Sequence, residues 1–267
     1  MPTGRQNEGK TMPATTKTTH RGHTITFTEA DHTYIDDQGH HYTSVTTVAG
    51  RYLPMFDAPA TAARMESQGR GNAADLQAQW KATADAACAF GTRCHAVAED
   101  TLLARPQRNT PTTDRERSAF RAVWQFCTER LMVPAVQILG VEEVVFSPAL
   151  YIAGTIDLLA NINGTPWVLD WKTNEAIPRE GFRGEMALPP VSDMPACAWT
   201  KYIIQLGLYE RILREQGHVH PLSQIRRGLR WVHEAPADWT VDIREIPTAT
   251  LATANILLDH LTTDIPF

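Results

Sequence analysis

The chain has 267 residues, 43% hydrophobic and 21% charged, which fits one large globular domain or two small ones with a buried core. Its net charge of −5 argues against a nonspecific nucleic-acid coat, which is basic overall, but not against an enzyme meeting DNA in one local groove. No apolar run approaches the roughly 18 residues of a membrane span and no signal-peptide core is present, so a cytoplasmic protein is expected.

In chain order, residues 1–22 carry threonine, glycine and basic residues with few apolar side chains, and read as a flexible tail. Thr24 to Phe27 alternates at period two, and the turn Asp36-Asp37-Gln38-Gly39 leads into His41-Tyr42, predicting a small hairpin. Ser44 is placed to N-cap a short helix from Val45. An alanine-rich stretch from about Ala58 to Ala104 reads as helix, interrupted near Gly69-Arg70-Gly71. A second helix, about Thr113 to Met132, carries Phe120, Val123, Trp124, Cys127 and Leu131 as one apolar stripe. Three β-rich runs follow: Val136 to Phe146, Leu150 to Ile162, and Trp167 to Lys172. Asn163-Gly164 turns the last two into a hairpin. A Pro- and Gly-rich loop (174–197), a helix (Ala198 to Glu215), strands near 225–233 and 239–246, and a helix near 248–262 complete the chain. The pattern is α+β, a central mixed sheet flanked by helices. It predicts a single domain over 23–267, with a helical N-terminal portion about 45–132 and a core about 135–262.

Asp157, Asp170 and Lys172 lie within apolar strand sequence, where an unpaired charge costs several kcal/mol. In a hairpin the two aspartates face one sheet edge, and Asp170 and Lys172, two apart, share a face. Two carboxylates and an ammonium converging on one volume suit a hard divalent cation and the polarisation of a phosphodiester. A structural ion pair between Asp157 and Lys172 explains the same residues equally well. Three further features bear on the choice. His95 and Glu99 are four apart on a helix, after Gly91-Thr92. Glu142 is an acid on the strand beside that of Asp157, although a one-residue slip exchanges it for Glu143; Glu142 is favoured. Gln205 and Tyr209 are four apart on the following helix. Singly, each has an ordinary reading: a packed histidine, a solvent-facing glutamate, a polar break in an amphipathic helix.

In this order, G-T-x-x-H, a strand acid, G-x-x-D, D-x-K and Q-x-x-x-Y resemble the RecB-like and Cas4-like branch of the PD-(D/E)XK nuclease superfamily. Tyr42-Thr43-Ser44-Val45-Thr46-Thr47 is similar to the S-V-T segment of its phage and mitochondrial genome-maintenance exonucleases. The resemblance covers about residues 24–215. It implies a restriction-endonuclease-like core and a Mg²⁺- or Mn²⁺-dependent deoxyribonuclease acting on DNA ends in recombination, repair or phage genome processing. Asp157, Asp170, Lys172 and Glu142 are then the catalytic set. His95, Asp157, Asp170 and the Trp171 backbone carbonyl are the implied metal ligands, with Gln205, Tyr209 and Glu99 in support. Relatives with an iron–sulfur cluster group three cysteines after the core. Only Cys197 stands there, so no cluster is expected, and Cys88, Cys94, Cys127 and Cys197 read as reduced thiols.

Lys201, one turn before Gln205, and Arg226, Arg227 and Arg230 are candidate phosphate contacts, or else a solvated strand face. The 174–197 loop, with Arg179 and Arg183, borders the substrate channel by position. The expected partners are DNA, single-stranded or with free ends, and a recombination or replication protein. A structure-specific endonuclease and an inactive, binding-only fold are the alternatives.

Overall fold

Strand structure begins earlier than the sequence suggested. The computed structural model describes residues 15–218, 224–247 and 256. Within it Thr15–His20 forms β1, paired antiparallel with β2 (His23–Thr28) across the Arg21-Gly22 turn, where φ is 48° and 83°. Residues 15–22 therefore do not belong to a tail; their threonines are β-branched and need only a ladder partner, which β2 provides. Residues 1–14 lie outside the described residues, as does the helix expected near 248–262, apart from Ile256, which is helical and buried.

β3 (Thr33–Asp36) and β4 (His41–Ser44) extend the meander. Asp36 Oδ1 accepts from the amides of Gln38 and His40, and Gly39 takes φ 88°, which together make the turn between them. Ser44 accepts from the Thr47 amide and starts α1 (Val45–Arg51). Asp57 and Asn72 cap α2 (Ala58–Ser67) and the 30-residue α3 (Ala73–Leu102), with Gly69 and Gly71 in the break. Thr113 caps α4 (Asp114–Phe126), which runs into a π-helical turn at Cys127–Leu131. Trp124 departs from the expected stripe and is 50% exposed, because the buried face of α4 is turned toward Ala119, Ala122, Val123 and Phe126.

β5 (Val136–Ser147), β6 (Ile152–Ile162) and β7 (Thr165–Lys172) follow, with Asn163 and Gly164 at φ 51° and 80° in the hairpin turn. α5 (Ala198–Gln216) ends at Gly217 in the left-handed region, and β8 (Arg226–Glu234) and β9 (Trp239–Ile246) form the last hairpin. The strand order is β1-β2-β3-β4-β6-β7-β8-β9, with β5 also on β6. The β4–β6 and β7–β8 pairs are parallel, so the sheet is mixed as expected.

One face of the sheet packs Ile156, Leu159, Val168 and Leu229 against α1 and α5. The other packs Leu158, Leu169, Trp171 and Val232 against α3 and α4. Burial of such side chains, about 1.5–3 kcal/mol each, holds the layers together. The β6–β7 ladder stops at Leu158↔Leu169. Beyond that point β6 continues along β5 toward β4, while β7 continues along β8. Asp157 and Asp170 are the first residues past the parting, so the sheet opens a fork at the two aspartates, and helices from both faces can reach into it. Among the described residues no helix is long and apolar enough to cross a membrane.

Candidate active site

The fork is bridged by the peptide of Trp171. Its N–H donates to Asp157 Oδ2 at 2.7 Å, and its carbonyl accepts from His95 Nε2 at 3.0 Å. A carbonyl can only accept, so Nε2 carries a proton and Nδ1 is turned to Asp157, 3.4 Å from Oδ2. The close approach of α3 depends on Gly91, where an added Cβ would stand 3.0 Å from Thr173 Oγ1. The Trp171 carbonyl thus faces the site, as expected of a ligand, but its observed partner is His95.

Glu142 joins from β5, where its φ of 51° twists the strand. One ligand atom from each of His95, Glu142 and Asp157 lies within 4.8 Å of the others. Glu143 instead lies over Gly140, where an added Cβ would meet it at 3.1 Å. Burial, then the charges of Asp157, Glu99 and Asp170, hold the Glu142 carboxyl well above its ordinary range, with Arg108 opposing. Burial likewise raises Asp157, partly offset by His95. Protons or a cation are needed to quiet this cluster.

Asp170, 4% exposed, accepts from Gln205 Nε2 at 2.8 Å on Oδ1. Lys172 Nζ is ion-paired to Oδ2 at 2.6 Å. Lys172 therefore pairs with Asp170 rather than bridging the hairpin to Asp157. Burial alone would lower its pKa; the charges of Asp170 and Asp157 override this and raise it. Tyr209 donates to the Thr155 carbonyl at 2.8 Å, which ties α5 to β6 just before Asp157.

Other expected residues are placed differently. Glu99 lies one turn from His95, but its carboxylate is committed to Arg105 at 3.2 Å and to Arg108. Lys201 has no carboxylate partner among the described residues, and burial and the Lys172 charge lower its pKa. The arginine groove of β8 is corrected. Arg227 is 3% exposed and ion-paired to Glu210 at 2.5 Å, and Arg230 is 2% exposed over Phe126, with burial lowering its pKa to about 10. Arg226 is exposed and paired with Glu245, but it aligns with Trp167, at the far end of β7 from Asp170. Alternation along β8 sends Arg227 and Arg230 into the two helical layers, a consequence of a sheet covered on both faces.

Two residues near the site had not been singled out. Tyr202 lies under Lys172, with Nζ 4.9 Å from the ring centroid, and donates to Asn174 Oδ1 at 2.8 Å. Its position three before Gln205 on one helix was the available signal. Tyr34 hydrogen-bonds Thr155 Oγ1 at 3.0 Å from the distant meander, and nothing in the local sequence marks it.

The donors suit a divalent cation: two carboxylates and an imidazole lie within reach of one another, with the buried Asp170 carboxylate beside them. A family model described as the PD-(D/E)XK nuclease superfamily matches residues 72–236, more than half of the chain. No curated protein matches the chain.

Proposed function

The chain belongs to the PD-(D/E)XK nuclease superfamily, and from that premise we propose that it is a divalent-metal-dependent DNA exonuclease of the RecB-like and Cas4-like branch. The chain from β1 onward acts as one catalytic unit, in the cytoplasm, on DNA ends in recombination, repair or phage genome processing. What supports this reading is the convergence of His95, Glu142 and Asp157 within 4.8 Å on a fork that also holds the Asp170–Lys172 pair.

His95, Glu142, Asp157 and Asp170 would hold the cation. Three carboxylates suit magnesium, and the imidazole makes manganese at least as good an occupant. Bound there, a cation would supply Lewis-acid polarisation of a phosphodiester and a more acidic water. Lys172, held protonated by its carboxylate neighbours, faces the negative charge that gathers on the phosphate in the transition state. Gln205 fixes the rotamer of Asp170, and the Trp171 peptide fixes Asp157 and His95. Lys201, beside Lys172 and free of any carboxylate partner among the described residues, contacts the DNA backbone.

The test is degradation of 5′- and 3′-labelled single- and double-stranded DNA by the wild type and by Asp170→Ala, with magnesium, manganese or EDTA. Metal-dependent loss of label with the wild type alone is expected, and the label lost first gives the polarity. Circular single-stranded DNA left intact identifies an exonuclease, and its cleavage an endonuclease. No degradation under any condition leaves a fold that only binds DNA or a partner.

A further inference from the structure

The loop after Lys172 ends in a fixed tip that holds an aromatic ring in solvent. Phe182 is 74% exposed, in a single 3₁₀ turn at Phe182–Gly184. Apolar exposure of this degree is costly, and a mobile loop would let the ring fold back. This loop is not free to do so. Gly181 is packed so tightly that an added Cβ would stand 1.9 Å from the Glu185 carbonyl oxygen, and Gly184 takes φ 78°. The chain that leaves the tip is pinned in turn: the Ala196 amide donates to Glu185 O and the Ala187 amide to Met194 O, both at 2.8 Å. Arg183 sits at φ 56°, an uncommon conformation for a side-chain-bearing residue, with its guanidinium carbon 5.2 Å from the Phe182 ring centroid.

The tip is also tied to the helix that carries Tyr202. A Cβ on Gly181, the residue before Phe182, would stand 3.1 Å from the nitrogen of Ala196, two residues before α5 begins, so the tip lies beside the chain entering that helix. The first turn of α5 carries Trp199, with Arg179 stacked over it at 4.2 Å, and then Lys201 and Tyr202, the latter under Lys172. The chain that leads to the tip is anchored at Asn174, held by Trp231 Nε1 and by the Tyr202 hydroxyl, each at 2.8 Å.

We propose that Phe182, backed by Arg183, is a stacking platform for an unpaired base, so that the strand entering the Asp170–Lys172 site is single-stranded DNA. This rests on the nuclease reading and adds the substrate class to it. Every base has a π-face but presents it only when unpaired, which is why an exposed ring selects single strands without selecting sequence. Glu180 and Glu185 offset Arg179 and Arg183 in charge, so the tip offers stacking rather than net electrostatic attraction.

The experiment measures equilibrium binding of labelled mixed-sequence single-stranded oligonucleotides to the full chain in EDTA, at low and high salt. Phe182→Ala should weaken binding about tenfold at both salt concentrations, and Phe182→Trp should restore it. On an oligomer of abasic sugar-phosphate units the wild type and Phe182→Ala should bind alike. Equal affinity of Phe182→Ala and wild type for single strands overturns the proposal, as does a wild type that binds no single-stranded DNA. DNA degradation by the wild type is scored in parallel. Degradation with no effect of Phe182→Ala removes only the stacking role, whereas Phe182-dependent binding without degradation removes only the nuclease reading.

Discussion

Gly154 and Tyr209 interlock. A Cβ on Gly154 would stand 2.7 Å from Tyr209 Cε1 and 2.9 Å from its hydroxyl oxygen, and that hydroxyl donates to the carbonyl of the next residue, Thr155. The glycine of G-x-x-D and the tyrosine of Q-x-x-x-Y are two sides of one contact, which sets the height of β6, and hence of Asp157, against α5. Gly154→Ala should cost about 1–3 kcal/mol through overpacking. In a Tyr209→Ala background the same change should cost far less, since the clash is gone. Thermal denaturation of the four proteins of this cycle checks it, and strict additivity would show that the two residues do not oppose each other.

The reason those motifs were legible in the sequence is energetic. A charge inside an apolar strand run is conspicuous, so Asp157 and Asp170 stood out. Ser44 and Asn163-Gly164 were equally readable, because capping and positive φ are local chemistry. What depends on tertiary layers was not. Arg227 and Arg230 looked like surface cations until helices covered both faces of β8, and the fork at Leu158↔Leu169 follows from β6 and β7 taking different partners. β1 was missed because its stability comes from β2 rather than from its own apolar content.

The acidic residues should prove dispensable for folding and indispensable for metal. Asp157 is raised in pKa by burial, so in the metal-free protein its charge is a burden. Asp157→Asn should leave the Tm unchanged or raise it, while magnesium binding and cleavage disappear. Asp170→Ala should also lose magnesium binding. Lys172→Ala should lose cleavage and keep metal affinity. Calorimetry showing undiminished magnesium affinity in Asp157→Asn and Asp170→Ala would remove these residues from the ligand set.

Arg230 gives a test of the corrected surface. It is 2% exposed, its Nε has no hydrogen-bond partner among the described residues, and burial lowers its pKa to about 10. Replacing a buried charge without a carboxylate partner by a hydrophobe of similar length is often stabilising by about 1–4 kcal/mol. Arg230→Met should therefore raise the midpoint of urea denaturation, and it should leave the salt dependence of DNA binding unaltered. A shallower salt slope would return this arginine to the DNA-binding surface.

Acidity and metal should act through Glu142 in opposite senses. Its carboxyl is raised above the ordinary 4.5 by burial and by Asp157, Glu99 and Asp170. Above pH 4.5 the unfolded chain has released this proton while the folded one still holds it. The folded state binds more protons in that window, so metal-free stability falls as pH rises toward the raised folded value. This reverses the usual trend for a carboxylate held by a cation. A bound divalent ion replaces the proton, so magnesium should bind more tightly as pH rises and should release protons on binding. Calorimetry at pH 7 in two buffers of different ionisation enthalpy reads that release directly. The Glu142→Gln variant should release fewer protons and lose less metal-free stability between pH 5 and pH 8. Equal proton release by Glu142→Gln and the wild type would place the displaced proton elsewhere in the cluster.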